Sequence, residues 1–205
     1  MAVLHLVASP KAQASTATRV AEAFLDAYVA LHPNNTISTF DLWNTELPPV
    51  DEDLVTAKLA PLLGEPTTAA QDEAWVEVVA LVDHFKSHDK IVISAPMWNF
   101  SIPYRLKHYI DLLVQPGLSF GLDDSFEHIG LLEDRPVQLI ISRSSTFPVD
   151  SPDDFQLPYL RHVLGFIGLT DVRALLVEGT TIPDDAREEF LTRHCARARR
   201  EASNF

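Results

Sequence analysis

The sequence is poor in cysteine and in basic residues. It has one cysteine, and its 16 lysines and arginines are outnumbered by 29 aspartates and glutamates, which gives a formal net charge of −13. Because the single cysteine, Cys195, cannot form an internal disulfide, we expect the protein to work in the reducing cytoplasm. Nucleic-acid binding is disfavoured, since affinity for a phosphate backbone comes from clustered lysine and arginine.

Glycine is also scarce, and the glycine-rich nucleotide-binding motifs are absent. The seven glycines stand at positions 64, 117, 121, 130, 165, 168 and 179. They form neither the GxGxxG of a Rossmann dinucleotide site nor the GxxxxGK[ST] of a P-loop. The GxSxG turn of a hydrolase nucleophile is absent as well. We also expect no metal site, because His84 and His88 are spaced as two ligands on a helix face but no third ligand accompanies them.

Long hydrophobic runs are missing too. No segment approaches the roughly 18 consecutive apolar residues that a membrane helix needs. The apolar run at residues 3–8 has no basic region before it and is too short for a signal peptide. We therefore expect no membrane span, in agreement with a cytoplasmic location.

What the sequence does contain is a regular alternation of two patterns. Short apolar runs, typical of strands buried on both faces of a parallel sheet, occupy residues 3–8, 36–42, 90–95, 137–142 and 172–177. Amphipathic stretches with helical spacing occupy residues 15–31, 69–85, a segment that begins at 103, 152–166 and 183–200. The alternation predicts one α/β domain over residues 1–205, with a doubly wound five-stranded parallel sheet and helices on both faces.

Residues 42–67 interrupt this alternation. Prolines fall at positions 48, 49, 61 and 66 of the segment, and proline disfavours both helix interiors and central strands. We therefore predict an irregular insertion after the second strand. It either walls or covers the ligand site or is a surface connection, and periodicity does not choose between the two.

Ligands of a doubly wound sheet bind at the carboxyl ends of its strands. Here the ends of interest lead into three loops, at residues 9–18, 96–102 and 143–150. The first loop carries the hydroxyls of Ser9, Ser15 and Thr16 and leads into a helix, whose unpaired N–H groups and positive dipole end suit a phosphate. The alternative is that Ser15 or Thr16 only caps the helix.

The loop after the third strand reads Pro-Met-Trp-Asn-Phe-Ser-Ile-Pro at residues 96–103. Met97, Trp98 and Phe100 offer soft and aromatic faces to a flat ligand. Asn99 both donates and accepts hydrogen bonds, which matches the mixed donor and acceptor edge of an isoalloxazine ring. The alternative is that Trp98 and Phe100 are ordinary core aromatics.

The stretch at 96–103, followed by Leu106-Lys107 and Ile110-Asp111, resembles the flavin loop and helix of a known family. This family is the FMN-dependent NADH:quinone oxidoreductases, the bacterial azoreductases with a flavodoxin-like fold. Further segments occur in the family's order, at residues 9–18, 117–120, 141–143 and 164–168. The resemblance covers essentially the whole chain, and it implies a flavodoxin-like sheet with FMN as the cofactor.

The resemblance also implies a role for each loop. The FMN phosphate loop would consist of Ser9, Ser15, Thr16 and Ala17. The isoalloxazine would be lined by Met97, Trp98, Asn99 and Phe100. Its pyrimidine edge would be approached by Ser142, Arg143, Ser144 and Ser145. The substrate pocket, which in this family is built at a homodimer interface, would be walled in part by Phe120 and Phe166.

The sequence departs from the family's pattern in three places, the third of which covers two residues. Ala17 replaces a serine that is common in the phosphate loop, which leaves the backbone N–H but no hydroxyl. Trp98 stands where tyrosine is usual, and Ser144-Ser145 stands where Gly-Gly is common. Glycine lets the backbone approach a ligand without a Cβ. The two serines therefore predict that FMN still binds, with a changed affinity or reduction potential.

The implied chemistry takes place at flavin N5, and no side chain is expected to be catalytic. NAD(P)H would deliver hydride and leave, and a quinone or azo compound would then take its place, so we expect ping-pong kinetics. Charge near N1 of the reduced flavin would be met by N–H groups of residues 143–145 or by the Arg143 guanidinium. Two alternatives stay open: a flavodoxin-type electron carrier with an acidic surface, and a flavin-free binding protein of the same fold.

Overall fold

The computed structural model describes residues 1–205, the side chain of residue 62 excepted. In chain order its elements are β1 (Ala2–Val7), α1 (Thr16–Leu31), β2 (Thr36–Asp41), α2 (Glu52–Leu63), α3 (Ala69–Lys86), β3 (Lys90–Pro96), α4 (Tyr104–Leu113), β4 (Phe120–Leu122), β5 (His128–Gly130), β6 (Val137–Ser142), α5 (Leu157–Phe166), β7 (Val172–Val177) and α6 (Asp184–Glu201). Among the helices described, none pairs enough length with enough apolar residues to cross a bilayer.

The five longer strands form one parallel sheet in the order β2-β1-β3-β6-β7. Leu6 of β1 lies beside Ile93 of β3, and Ile93 lies beside Leu139 of β6. The three central strands consist almost wholly of buried residues, as strands covered on both faces must. The predicted doubly wound five-stranded parallel sheet is confirmed, and each predicted strand boundary lies within one residue of the observed one.

The side chains of each strand alternate between two hydrophobic cores. Val3 of β1 packs with α1 and α6, whereas its neighbour Leu4 packs with α3, α4 and α5 on the opposite face of the sheet. The helices α1, α4, α5 and α6 each follow a strand of the parallel sheet, so they begin at its carboxyl edge. Four helix N-termini therefore surround the edge where ligands of this architecture bind.

α5 begins later than the sequence indicates. The prediction places a helix over residues 152–166, and the structure begins it at Leu157. The carboxylate of Asp154 accepts hydrogen bonds from the N–H groups of Gln156 at 3.0 Å and Leu157 at 3.1 Å. A side chain that pairs with the first N–H groups of a helix sets its start, so residues 152–156 remain loop at the carboxyl edge of the sheet.

The prediction that residues 42–67 are irregular is wrong in part, because the segment contains α2. Asp51 caps this helix by accepting a hydrogen bond from the N–H of Leu54 at 3.1 Å, and Gly64 ends it with a φ of 67°. Pro61 lies in the last turn and removes one intrahelical hydrogen bond. The prolines led to a prediction of irregular structure, but α2 forms because the Asp51 cap and packing against α3 stabilise it.

A short antiparallel hairpin, β4 with β5, is not indicated by the sequence. Strands of three residues are too short to show an alternating pattern. Gly130 at the end of β5 lies against the backbone of Gly168, and a Cβ on Gly130 would lie 2.2 Å from the Gly168 nitrogen. Only glycine permits this approach. The contact holds the hairpin against the end of α5.

Candidate functional site

Backbone hydrogen bonds join the loops at the carboxyl edge of the sheet. The N–H of Met97 donates to the carbonyl of Ser142 at 2.7 Å, which links the loops after β3 and β6. The N–H of Arg143 donates to the carbonyl of Val177 at 2.9 Å, and the carbonyl of Arg143 accepts from the N–H of Thr180 at 3.0 Å. These bonds hold the loops after β3, β6 and β7 in a fixed relation to one another.

A polar cleft of about 410 Å³ lies where α1 and α6 begin. Its walls include residues that the sequence predicts for the flavin site: Ser9, Ser15, Thr16, Trp98 and Ser142. They also include residues that the prediction missed: Lys11, Thr180, Thr181 and Arg187. The basic charge of Lys11 within the first loop was the available signal, whereas the loop after β7 carries no motif that singles it out.

The first turn of α1 forms part of the polar cleft. Ser15 caps the helix, and the Oγ of the buried Ser9 accepts a hydrogen bond from the N–H of Lys11 at 3.4 Å. The N–H groups of Thr16 and Ala17 have no acceptor within the helix, and the dipole places positive charge there. The Ala17 side chain is fully buried and does not line the cleft. An anion would meet hydroxyls and helix N–H groups at this turn.

A strained turn forms the centre of the loop after β3. Trp98 and Ser101 exchange two backbone hydrogen bonds, both of 2.9 Å, around Asn99 and Phe100. These two residues have φ values of 47° and 70°, as in a type I′ turn. The left-handed conformation costs a residue such as phenylalanine about 1–2 kcal/mol. Backbone strain of this kind concentrates at functional sites, so the turn marks a candidate binding loop.

Trp98 also borders a second cavity, an apolar groove of about 860 Å³. Asn99 and Tyr104 line this groove, together with Tyr159 of α5. Burial, aided by the negative charge of Asp111, raises the pKa of Tyr159 to about 12, so its phenol stays protonated near neutral pH. Of the described residues, Trp98 is the one that lines both the polar cleft and the apolar groove.

The segment after β2 packs against this loop. Trp43 contacts Trp98 and Tyr104, with ring centroids 5.7 and 5.2 Å apart, and its indole N–H donates to the carbonyl of Ala8 at 3.1 Å. The guanidinium of Arg105 donates to two backbone carbonyls of the same segment, at 2.7 and 2.6 Å. The first residues of the segment 42–67 therefore support the loop after β3, but no described side chain of the segment lines the polar cleft or the apolar groove.

Arg143 lies inside the protein. Its side chain is 1% exposed and forms ion pairs with Asp154 at 2.7 Å and Glu178 at 3.4 Å. Because its backbone N–H is also bonded, within the sheet, Arg143 has protein partners for both groups that were expected to meet flavin charge. Ser144 and Ser145 are exposed and line neither the polar cleft nor the apolar groove.

The remaining predicted residues lie beside the two cavities. Met97 is half-buried and Phe100 is exposed, and both flank the lining residues Trp98 and Asn99 without lining either cavity themselves. Phe120 contacts Phe166 with ring centroids 4.9 Å apart. Neither Phe120 nor Phe166 lines the apolar groove of its own chain.

The fold and the site together define the class of protein. The family model described as flavodoxin-like fold matches residues 1–202. The order of the strands in the sheet agrees with that family. The chain belongs to this flavodoxin-like family.

Individual members of this family and solved structures are also similar to the chain. An FMN-dependent NADH:quinone oxidoreductase of Nitratidesulfovibrio vulgaris is 42% identical over 190 residues, which cover 90% of each chain. One from Desulfotalea psychrophila is 38% identical over 191 residues, which cover 92% of this chain and 90% of the other. A solved FMN-dependent NADH-azoreductase from Bacillus anthracis, in complex with FMN, has a TM-score of 0.87 at 25% identity and covers 99% of this chain and 98% of its own.

Proposed function

We propose that the protein is an FMN-dependent NAD(P)H:quinone oxidoreductase that also reduces azo compounds. The observation that carries the proposal is the position of Trp98, which lines both the polar cleft and the apolar groove. FMN has a charged phosphate at one end and a flat aromatic ring system at the other, so it requires a polar and an apolar site that meet. The names of the relatives, quinone oxidoreductases and azoreductases, support the same activity.

The polar cleft fits the phosphate end of FMN. The hydroxyls of Ser9, Ser15 and Thr16 supply donors, and the N–H groups of Thr16 and Ala17 lie at the positive end of the α1 dipole. Ser142 lines the cleft at the end of β6 and adds a further hydroxyl. Hydroxyl and backbone donors at a helix N-terminus are the usual partners of a phosphate in a protein.

The turn at residues 98–101 fits the ring end of FMN. Trp98 offers an apolar face, with Met97 and Phe100 close to it in the loop, and the side-chain amide of Asn99 suits the ring's mixed donor and acceptor edge. The type I′ geometry fixes these groups before the ligand arrives, which lowers the entropic cost of binding.

We assign the loop after β6 to the pyrimidine edge of the ring. The hydroxyls of Ser144 and Ser145 are exposed and able to turn toward a ligand. Arg143 acts on this loop from within, because its side chain is anchored to Asp154 and Glu178. It is therefore a positioning residue, whereas the serines are the groups that would contact FMN.

Bound FMN supplies two-electron transfer from NAD(P)H to a quinone or an azo compound. The protein binds and orients the reactants and excludes water from the apolar groove. No side chain is assigned a proton-transfer role. Burial raises the pKa of the Tyr159 phenol to about 12, so the groove presents a protonated hydroxyl near neutral pH.

We propose further that two copies of the chain share each site. Aromatic side chains at and beside the apolar groove are largely exposed: Phe100 by 54%, Tyr104 by 63% and Phe155 by 60%. Phe120 and Phe166, assigned to the substrate pocket by resemblance, do not line the groove of their own chain. A second copy over the groove would cover the exposed aromatics and bring its own Phe120 and Phe166 to the site.

Light scattering coupled to size-exclusion chromatography tests the shared site. We expect a dimer of the purified protein and a monomer for Tyr104→Glu, which places a charge at the groove. Val149→Glu is the matched control, because Val149 is 92% exposed and lies outside the groove. A Tyr104→Glu variant that stays dimeric would place the dimer contact elsewhere.

A spectroscopic titration tests the proposed activity. The purified protein, recorded in the visible range, should show bound flavin that bleaches when NADH is added without oxygen and returns when a benzoquinone follows. Flavin that binds but does not react with NADH would indicate an electron carrier. A colourless protein that also rejects added FMN would indicate a flavin-free binding protein. The lone cysteine agrees with our placing the activity in the reducing cytoplasm.

A further inference from the structure

Two basic side chains line the polar cleft, although the chain as a whole is strongly acidic. Lys11 comes from the turn after β1, and Arg187 comes from the first turn of α6. The formal net charge of −13 repels an anionic ligand at long range. Two positive side chains in one cleft of an acidic protein suggest that the cleft binds an anion. This is the cleft to which we assign the phosphate of FMN.

Hydrogen bonds and packing fix the position of Arg187 relative to α1. The loop that leads to α6 is anchored where the N–H of Thr180 donates to the carbonyl of Arg143 at 3.0 Å. α6 packs along α1, and Arg19 of α1 pairs with Glu188 of α6 at 3.2 Å. The packing of α6 along α1 places the first turn of α6, and with it Arg187, beside the first turn of α1, so that both line the polar cleft.

The present partner of Arg187 is a weak competitor for a phosphate. Arg187 lies 3.5 Å from Asp184, whose side chain is 98% exposed. Exposed ion pairs of this kind contribute about 0–1 kcal/mol. A doubly charged phosphate in the cleft offers the guanidinium a stronger partner, with two parallel hydrogen bonds.

The cleft also lacks one of the donors expected at this site. Ala17 stands where serine is common in the phosphate loop, and its side chain is buried away from the cleft. Thr181, from the loop after β7, lines the cleft instead and adds a hydroxyl on the α6 side. The polar lining is therefore shared between the turn after β1 and the segment 180–187.

We propose that Lys11 and Arg187 form a cationic clamp on the FMN phosphate, with Thr181 beside it. The clamp rests on the proposed function and deepens it, because it assigns part of the phosphate affinity to α6. It has two consequences. Binding of FMN should weaken with added salt, and FMN should be strongly preferred over riboflavin, which has no phosphate.

Flavin titrations of the apoprotein, followed by quenching of flavin fluorescence, test the clamp. FMN and riboflavin are each titrated at low and at high salt into the wild type, Lys11→Gln, Arg187→Gln and the conservative Arg187→Lys. Arg193→Gln is the matched control, since it removes the same charge from an exposed position of the same helix.

We expect Lys11→Gln and Arg187→Gln each to weaken FMN binding about tenfold at low salt, the size of one charge-assisted hydrogen bond. Riboflavin affinity should change less than about twofold, the salt dependence should flatten, and Arg187→Lys should recover part of the loss. An FMN loss no larger than that of Arg193→Gln, or equal losses for both flavins, overturns the clamp. A wild type that binds neither flavin overturns the proposed function itself.

Discussion

Arg143 and Asp154 form an ion pair of 2.7 Å in which only 1% of the arginine side chain and 12% of the aspartate side chain are exposed. The same guanidinium donates to Gln156 at 3.3 Å, and the amide of Gln156 donates to the carbonyl of Pro96 at 2.9 Å. One buried arginine thus links the loop after β6, the start of α5 and the loop after β3. These are the segments to which we assign the flavin ring.

Arg143→Met should destabilise the protein by about 3–5 kcal/mol, because it leaves two mostly buried carboxylates without their cation. Urea unfolding measures the change. The control is Arg173→Met, which removes the half-exposed pair with Asp171 and an exposed hydrogen bond to the carbonyl of Asn204 and should cost about 1 kcal/mol. Equal costs for the two variants would show that the buried network contributes nothing special to stability.

Replacing Asn99 separates the role of its amide from the role of its backbone. Asn99→Gly keeps the φ of 47° without strain but removes the amide, and Asn99→Ala removes the amide and keeps the strain. We expect both variants to lose FMN on gel filtration, and Cys195→Ala to retain it. If Asn99→Gly retained FMN as well as the wild type, the amide would have no contact with the flavin.

The buried imidazole of His5 gives the protein a specific sensitivity to acid. Burial lowers the pKa of His5 from 6.5 to about 4, so below pH 6.5 the unfolded chain takes up a proton that the folded chain does not. Stability attributable to this group is therefore complete above pH 6.5 and falls by about 3 kcal/mol in total as the pH drops to 4.

The variant His5→Gln removes this titration and leaves an amide able to pair with Ser94, the present partner of the imidazole at 2.9 Å. Urea unfolding between pH 7 and pH 4 should show a shallower loss of stability for the variant than for the wild type. His162→Gln, at an exposed position in the groove, serves as the control. Parallel pH profiles for wild type and His5→Gln would contradict the assignment.

Gly130→Ala should separate the β4–β5 hairpin from the end of α5. A Cβ at Gly130 would lie 2.2 Å from the backbone of Gly168, and backbone on both sides leaves no flexible group to yield. We expect a loss of about 2 kcal/mol or more by thermal unfolding. Gly165→Ala should instead stabilise by about 1 kcal/mol, since it lies in α5 with open space around it. Similar effects of the two changes would contradict the close contact.

The parts of the fold that the sequence predicts are those with a strong local pattern. The central strands are continuous apolar runs because they are covered on both faces, and the observed boundaries follow them. α2 escaped prediction because Pro61 breaks the helical pattern locally, whereas its stability comes from the Asp51 cap and from packing on α3. A prediction from a short stretch of sequence does not detect packing between α2 and α3, because the contacting residues lie in two different helices.

The candidate site likewise has features that the sequence predicts and features that it does not. The stretch at residues 96–103 could be proposed as a binding loop because its residues are contiguous and chemically specific. The burial of Arg143 could not, because its partners Asp154 and Glu178 come from two later segments. Arg187 was missed for the same reason: it reaches the first loop only through the packing of α6 on α1.

The position of Trp98 also makes the intrinsic tryptophan fluorescence of the protein sensitive to flavin binding. Of the three tryptophans, Trp43 and Trp98 contact each other at the site, and Trp75 lies in α3. A flavin beside Trp98 would accept excitation energy from this indole pair and dim most of the emission. The loss of intrinsic fluorescence as FMN is added therefore measures site occupancy without any label.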